Sequence, residues 1–321
     1  MLGLLALVVV ASVTMGSRDV SLEAVLAALL GGEPASAASA VIAEMRVPRT
    51  LLGLSVGVAL GLSGTILQGV TRNPLADPGI MGINAGAAAA IVVGIALVGS
   101  TTADGSIWLA FIGAGLATVL VYGLASLGRE GATPIKLALA GAAVTAGLMS
   151  LTSAIVMTNV EALDQLRFWQ VGSLAGRYLP VFLQTAPFIL VGSIAALASG
   201  RALNGLALGE DVAVALGQRV RRTRFALFAI VVVLCGAATA ACGPIVFVGL
   251  VVPHLARMWC GPDYRWILPY AAVLTPIVLL VADIIGRVVI APSELQVGVV
   301  LGVLGAPAFI LLVRSRDLVE L

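Results

Sequence analysis

Residues 64–82 read GTILQGVTRNPLADPGIMG, and this stretch decides the fold. A polar Arg72-Asn73-Pro74 turn, followed by Asp77-Pro78-Gly79, is wedged between two apolar runs that are each long enough to cross a bilayer. Proline lacks a backbone donor and restricts the residue before it, so Pro74 and Pro78 are expected to stop both flanking helices. Helix ends at membrane depth are tolerated only where protein or a watery cavity satisfies their polar groups. A Pro-rich turn in that position suits the gate of a transporter.

The apolar character extends along the whole chain. Of 321 residues, 60% are hydrophobic and 11% charged, and the mean hydropathy is +1.12, far from the usage of a soluble domain. A span takes about 20 apolar residues to cross about 30 Å of hydrocarbon. Candidates fall at 1–16, 50–70, 79–99, 107–127, 135–157, 179–199, 225–243, 245–260, 267–290 and 296–313. The run 225–260 is too long for one helix and short for two, and it divides at Gly243-Pro244. The reading is therefore all-α: one transmembrane domain over 1–321 with about ten helices. Residues 1–16 lack the basic region and cleavage signature of a signal peptide and read as a first span. After Ser21, the helical spacing of Leu22, Val25, Leu26, Leu29 and Leu30 predicts a short amphipathic helix on the outer surface.

An even number of spans puts both termini on one side. With that side cytoplasmic, inner segments hold Arg72, Arg129, Lys136, Arg201, Arg219, Arg221, Arg222, Arg224, Arg257, Arg265, Arg314 and Arg316, twelve of the eighteen basic residues. Outer segments hold Arg18, Arg46, Arg49, Arg167, Arg177 and Arg287, and the bias supports cytoplasmic termini. A net charge of +2 gives no footprint for nucleic acid. Gly64 stands ten residues before Pro74 and Gly243 ten before Pro253, a faint echo of two related halves.

Several chemistries are missing. The sole lysine, Lys136, follows Ile135, so the chain has no phosphate-cradling GxxxxGK[ST] loop and any ATP must be hydrolysed elsewhere. Cys235, Cys242 and Cys260 read as packing residues, and one histidine, His254, supports no histidine-based metal cluster. No nucleophile, base and orienter can be assembled, so the chain is not read as an enzyme. Asp283 is the only carboxylate well inside a span, with Arg287 one turn away. Two readings stay open for it: an intrahelical pair, or the coupling site of an ion-driven carrier.

Two segments outside the spans carry recognisable chemistry. In RALNGLALGEDVAVALGQRVRRTR (201–224), Asn204 or Gly205 can open a first short helix. Gly209 can open a second, with Glu210 and Asp211 where carboxylates suit the helix dipole, and Gly217 can end it. Such a hairpin fits a cleft in another protein. Outside, Arg46 and Arg49 flank Val47-Pro48 before the second span, and Arg287 stands near the outer end of the ninth; guanidinium forks of this kind suit carboxylates on a partner.

Taken in order, RVPR (46–49), SGTILQGVTRNPLADPGIMG (63–82), GEDVAVALG (209–217), GPIVFVGLVVPHLAR (243–257) and ELQVGVVLGVLGAPAFILL (294–312) resemble the FecCD type of ATP-binding-cassette importer permease. The resemblance covers nearly the whole chain. It implies a type II importer permease of ten spans in the bacterial cytoplasmic membrane, paired with a second permease subunit and resting on two ATPase subunits. ATP and Mg would sit on those subunits, and no cofactor or metal in this chain. A binding protein outside would deliver a ferric siderophore, with haem or cobalamin as alternatives. The resemblance assigns binding-protein docking to Arg46, Arg49 and Arg287, and the cytoplasmic gate to Asn73 and Leu75 with Pro134 and Ile135. ATPase coupling falls to Glu210, Asp211, Ala215, Leu216 and Gly217. The chain departs from the family pattern in having no cytoplasmic tail before the first span.

Overall fold

Prolines and glycines set where each helix begins and ends. The computed structural model describes residues 1–16, 40–99, 103–127 and 133–314. In chain order its helices are α1 (Leu2–Thr14), α2 (Val47–Thr71), α3 (Ile83–Val98), α4 (Ala103–Ala125), α5 (Pro134–Val156), α6 (Val160–Trp169) and α7 (Leu179–Ala198). There follow α8 (Gly200–Ala207), α9 (Glu210–Ala215), α10 (Val220–Cys242), α11 (Val248–Cys260), α12 (Tyr264–Val288) and α13 (Val297–Arg314). A π-turn at Ile42–Arg46 leads into α2, and a 3-10 turn at Pro78–Met81 precedes α3.

Helix α2 is the axis of the bundle, packed against α7, α10, α11 and α12. Its small residues explain how so many neighbours reach it, because in a bilayer close backbone approach replaces the hydrophobic drive between helices. At Gly57 an added Cβ would lie 2.6 Å from the Pro276 Cα of α12, and at Gly64 it would overlap the carbonyl of Gly249 in α11. The same device joins α3 to α4, where Gly86 and Gly113 each face the other's carbonyl.

Six helices among the described residues are long and apolar enough to cross a membrane, and four shorter apolar ones (α1, α3, α11 and α13) complete the ten expected runs. Burial separates their roles: 78% of the apolar window of α2 is buried, against 11% for α5, whose flank is left for lipid or a partner.

The structure corrects four boundaries. Pro74 lies beyond the end of α2, which Arg72 closes in the left-handed region (φ 48°), and Pro78 opens a 3-10 turn, so α3 starts at Ile83 rather than residue 79. The 225–260 run does divide at Gly243-Pro244, but backbone 243–247 stays non-helical and α11 has only 13 residues. Helix α6 was not anticipated; the Asn159 side chain caps it by accepting the Ala162 N–H at 2.9 Å. The first helix of the 201–224 hairpin starts at Gly200, because Asn204 serves another helix, as described below. The amphipathic helix expected at 22–30 lies outside the described residues.

Candidate functional site

The turn that ends α2 is a chain of local hydrogen bonds. Asn73 Oδ1 accepts the Leu75 N–H at 2.9 Å, and the Asn73 carbonyl accepts the Ala76 N–H at 3.1 Å. Asp77 Oδ1 then accepts the Gly79 N–H at 2.8 Å. Burial pushes the Asp77 carboxyl above its ordinary range, and the Gly79 amide partly offsets this. These bonds brace a sharply bent backbone and leave the Leu75 side chain exposed at the tip. The 3-10 turn packs on α5, whose start is fixed by Pro134 and by Thr133, the N-cap, and whose Ile135 is also exposed. Asn73, Leu75, Pro134 and Ile135 thus lie at one end of the bundle.

The same end carries the α8–α9 loop. Gly209 (φ 109°) precedes α9 and Gly217 (φ 79°) follows it, both in conformations that side chains resist. Glu210 in the first turn of α9 pairs with Arg224 of α10. Asp211, Ala215, Leu216 and Gly217 are exposed, as are Val212 and Val214. Asn204 sits at the base: its Oδ1 accepts the Tyr264 N–H at 2.8 Å and its Nδ2 donates to Asp263 Oδ1 at 2.7 Å, so it ties the loop to the start of α12. Hydrogen bonds from Arg265 first, and then from Asn204, hold the Asp263 carboxyl down to about 2. Arg72, which closes α2, adjoins this loop: its Nη1 would lie 3.7 Å from a Cβ added to Gly209.

At the opposite end of α2 the three expected arginines come together, but they are not presented alike. Arg46 is 6% exposed and donates to the carbonyls of Val13 (3.1 Å) and Thr14 (2.6 Å). Arg287 is 2% exposed and donates to the carbonyls of Ser12 (2.8 Å) and Met15 (3.0 Å). Together they satisfy the orphan carbonyls at the C-terminus of α1, where the helix dipole also favours cations. Arg49 bridges Asp283 at 2.8 Å and Glu294 at 2.7 Å. Asp283 is fully buried, and Arg287 holds its other oxygen at 3.1 Å. The expected Asp283–Arg287 pair exists, therefore, within a three-residue cluster whose third member comes from α2. An acid gripped by two guanidiniums lacks the free oxygens an ion-coupled carrier needs. Sequence reasoning missed Glu294 as Arg49's partner, and it missed Arg177, which lines the same cavity of about 370 Å3.

Three concave spaces lie between the two ends and share walls. A cavity of about 640 Å3 contains Arg177, Glu294 and Trp169. Trp169 is shared with a second, of about 550 Å3, lined by Asn84, Thr145 and Thr152. Gly79, Thr145 and Met149 are shared with a third, which reaches Asp77 in the turn between α2 and α3.

The pattern of the FecCD transport family matches residues 4–315. The chain belongs to that family. As a FecCD protein it is the membrane permease of an ATP-binding-cassette importer, and its relatives agree in length as well as sequence. The ferric enterobactin transport system permease protein FepD of Escherichia coli (strain K12) is 47% identical over 317 residues, covering 98% of this chain and 94% of FepD. The iron(3+)-hydroxamate import system permease protein FhuB of Bacillus subtilis (strain 168) is 38% identical over 309 residues, covering 95% of this chain and 79% of FhuB. A solved metal-chelate type ABC transporter, in an inward-facing conformation, superposes with a TM-score of 0.86 at 28% identity, over 98% of this chain and 97% of that one.

Proposed function

We propose that this FecCD permease carries a ferric siderophore across the cytoplasmic membrane, driven by ATP hydrolysed on separate subunits. One observation carries this reading: a row of neighbouring cavities lies between an arginine-rich end and a polar turn, and that turn adjoins an exposed two-helix loop. The loop bearing Glu210, Asp211, Ala215, Leu216 and Gly217 is the docking element for the ATPase, because it offers exposed apolar side chains on a short helix held rigidly at its base. Asn73, Leu75, Pro134 and Ile135 close the path against the same residues of a second permease subunit across a dimer axis. The bias of basic residues supports a cytoplasmic position for the gate, the loop and both termini.

The binding protein docks at the arginine end. Arg49 offers its partly exposed guanidinium to the partner's carboxylates, while Arg46 and Arg287 act by holding α1 and Asp283 in place behind it. The cargo follows from the relatives, whose names include ferric enterobactin and iron(3+)-hydroxamate. Reconstituted with its ATPase and binding protein in proteoliposomes, the permease should import a labelled ferric siderophore only with ATP inside or outside on the ATPase face. Import of haem or cobalamin, with ferric siderophores refused, would overturn the cargo assignment, and import driven by an ion gradient without ATP would overturn the mechanism.

A further inference from the structure

The arginines of the mouth differ in one respect that bears on the cargo. Arg46, Arg49 and Arg287 all have acceptors within the chain, whereas Arg177 has no hydrogen bond or ion pair among the described residues. Arg177 follows Gly176 (φ 67°) in the loop between α6 and α7, where burial works against its charge and lowers its pKa. The carboxylate on the same wall, Glu294, is held by Arg49 at 2.7 Å. Among the described residues, Arg46, Arg49, Arg177 and Arg287 stand against Asp283 and Glu294 in this cluster, four positive charges and two negative. A partly desolvated cation without a counter-ion, facing a cavity, is an arrangement that an incoming anion stabilises.

The cavity that Arg177 faces has the dimensions and lining of a small-molecule site. Its volume of about 640 Å3 falls within the roughly 300–1,000 Å3 of ligand pockets. Phe168 and Trp169 supply aromatic faces, and Gln165 and Gln296 supply amides that both donate and accept. Trp169 also lines the neighbouring cavity, so the two spaces share that wall.

We propose that this cavity is a receiving site for the cargo, selective for chelates that carry net negative charge and aromatic ligating rings, with Arg177 as the residue that recognises the charge. This inference rests on the reading of the chain as a chelate importer and adds a chemical class to it. Uncharged chelates would pass through the same mouth without the electrostatic gain.

The test uses the full chain in lipid nanodiscs and two probes, gallium(III) tris-catecholate, which is anionic, and an uncharged gallium(III) tris-hydroxamate. Gallium resists reduction, so binding is read without redox side reactions. Calorimetry should show tighter binding of the anionic probe, weakening as salt rises from about 0.05 to 0.5 M. Arg177→Gln should lower its affinity by about tenfold or more and leave the uncharged probe unaffected, while Arg177→Lys should retain most of the affinity. Equal affinities for the anionic probe in the native chain and Arg177→Gln, or a preference for the uncharged probe, would overturn the site. Should Arg177→Gln fail to fold, the salt series on the native chain and Arg177→Lys decides the matter: salt-independent binding overturns the proposal. Uptake by the complete importer is scored separately. Binding through Arg177 with no ATP-driven uptake of any iron chelate would overturn the import reading and keep the anion site, and uptake with Arg177-independent binding would do the reverse.

Discussion

Replacing Asp283 by asparagine tests whether the buried acid of the arginine cluster is structural. In the native chain its two oxygens accept from Arg49 Nη2 at 2.8 Å, from Arg49 Nε at 3.1 Å and from Arg287 Nη2 at 3.1 Å, and none of its surface reaches solvent. Removing one partner from a buried ion pair costs about 3–5 kcal/mol, because the remaining charge stays buried without compensation. Here Arg49 keeps Glu294, and Arg287 keeps the carbonyls of Ser12 and Met15, so the loss should fall at the lower end, about 3 kcal/mol. That corresponds to roughly a hundredfold change in the folded-to-unfolded ratio. Unfolding of the purified chain, followed by tryptophan fluorescence in detergent, should show a clear fall in the transition temperature. ATP-driven uptake by surviving Asp283→Asn complexes should not depend on an ion gradient. Native-like stability of Asp283→Asn, together with lost uptake, would refute the structural reading and return Asp283 to a coupling role.

Gly64→Val should disrupt the α2–α11 contact, because its side chain would overlap the Gly249 carbonyl at a cost of at least about 1–3 kcal/mol; Gly3→Val, in open space, is the control, and equal melting of the two would contradict the packing. In a background lacking Cys235, Cys242 and Cys260, cysteine at 73 or 75 should crosslink two permease subunits when the gate is closed. Crosslinking that is the same in every nucleotide state, with uptake intact, would make the turn a mere connection. Gly217→Val forces a side chain into a left-handed position at a cost of about 1–2 kcal/mol and should reduce co-purification of the ATPase; full recovery of the complex would remove the loop from the docking surface. Asp263, whose folded pKa of about 2 lies below its ordinary value, contributes stability that is present above about pH 4 and lost as pH falls toward 2. Protection factors at the start of α12, corrected for the intrinsic pH dependence of amide exchange, should therefore stay flat down to about pH 5 and fall below it, and Asp263→Asn should abolish that step.

Local chemistry was legible in the chain and distant pairing was not. The turn between α2 and α3 could be read because Asn73, Pro74, Asp77 and Pro78 act on their own backbone within a few residues. The same holds for α9, whose two glycines mark its limits by conformation alone. Asn204 misled for the opposite reason: its side chain satisfies the Tyr264 amide 60 residues away instead of capping its own helix. Arg49 and Asp283 are 234 residues apart, and nothing in either neighbourhood announces the pair. The non-helical crossing at 243–247 could be dated to Gly243-Pro244 but not measured, because its length depends on the 169–173 loop, where Ser173 N–H donates to the Cys242 carbonyl at 2.8 Å. Arg177 carried no motif at all, and only the cavity it faces gives it meaning.

The arginines that cap α1 have a consequence for how the protein is made. Helix α1 emerges from the ribosome long before α12, with four terminal carbonyls that the bilayer cannot solvate. Arg46 arrives about one hairpin later, 33 residues beyond Val13, but Arg287 lies 275 residues beyond Ser12. While the intervening helices are made, α1 is thus held by one arginine, and it is finished only when α12 slides in beside it. Segments made far apart in time are locked by the same contact, so a chain broken off before α12 keeps an open end on α1 that membrane quality-control proteases can find.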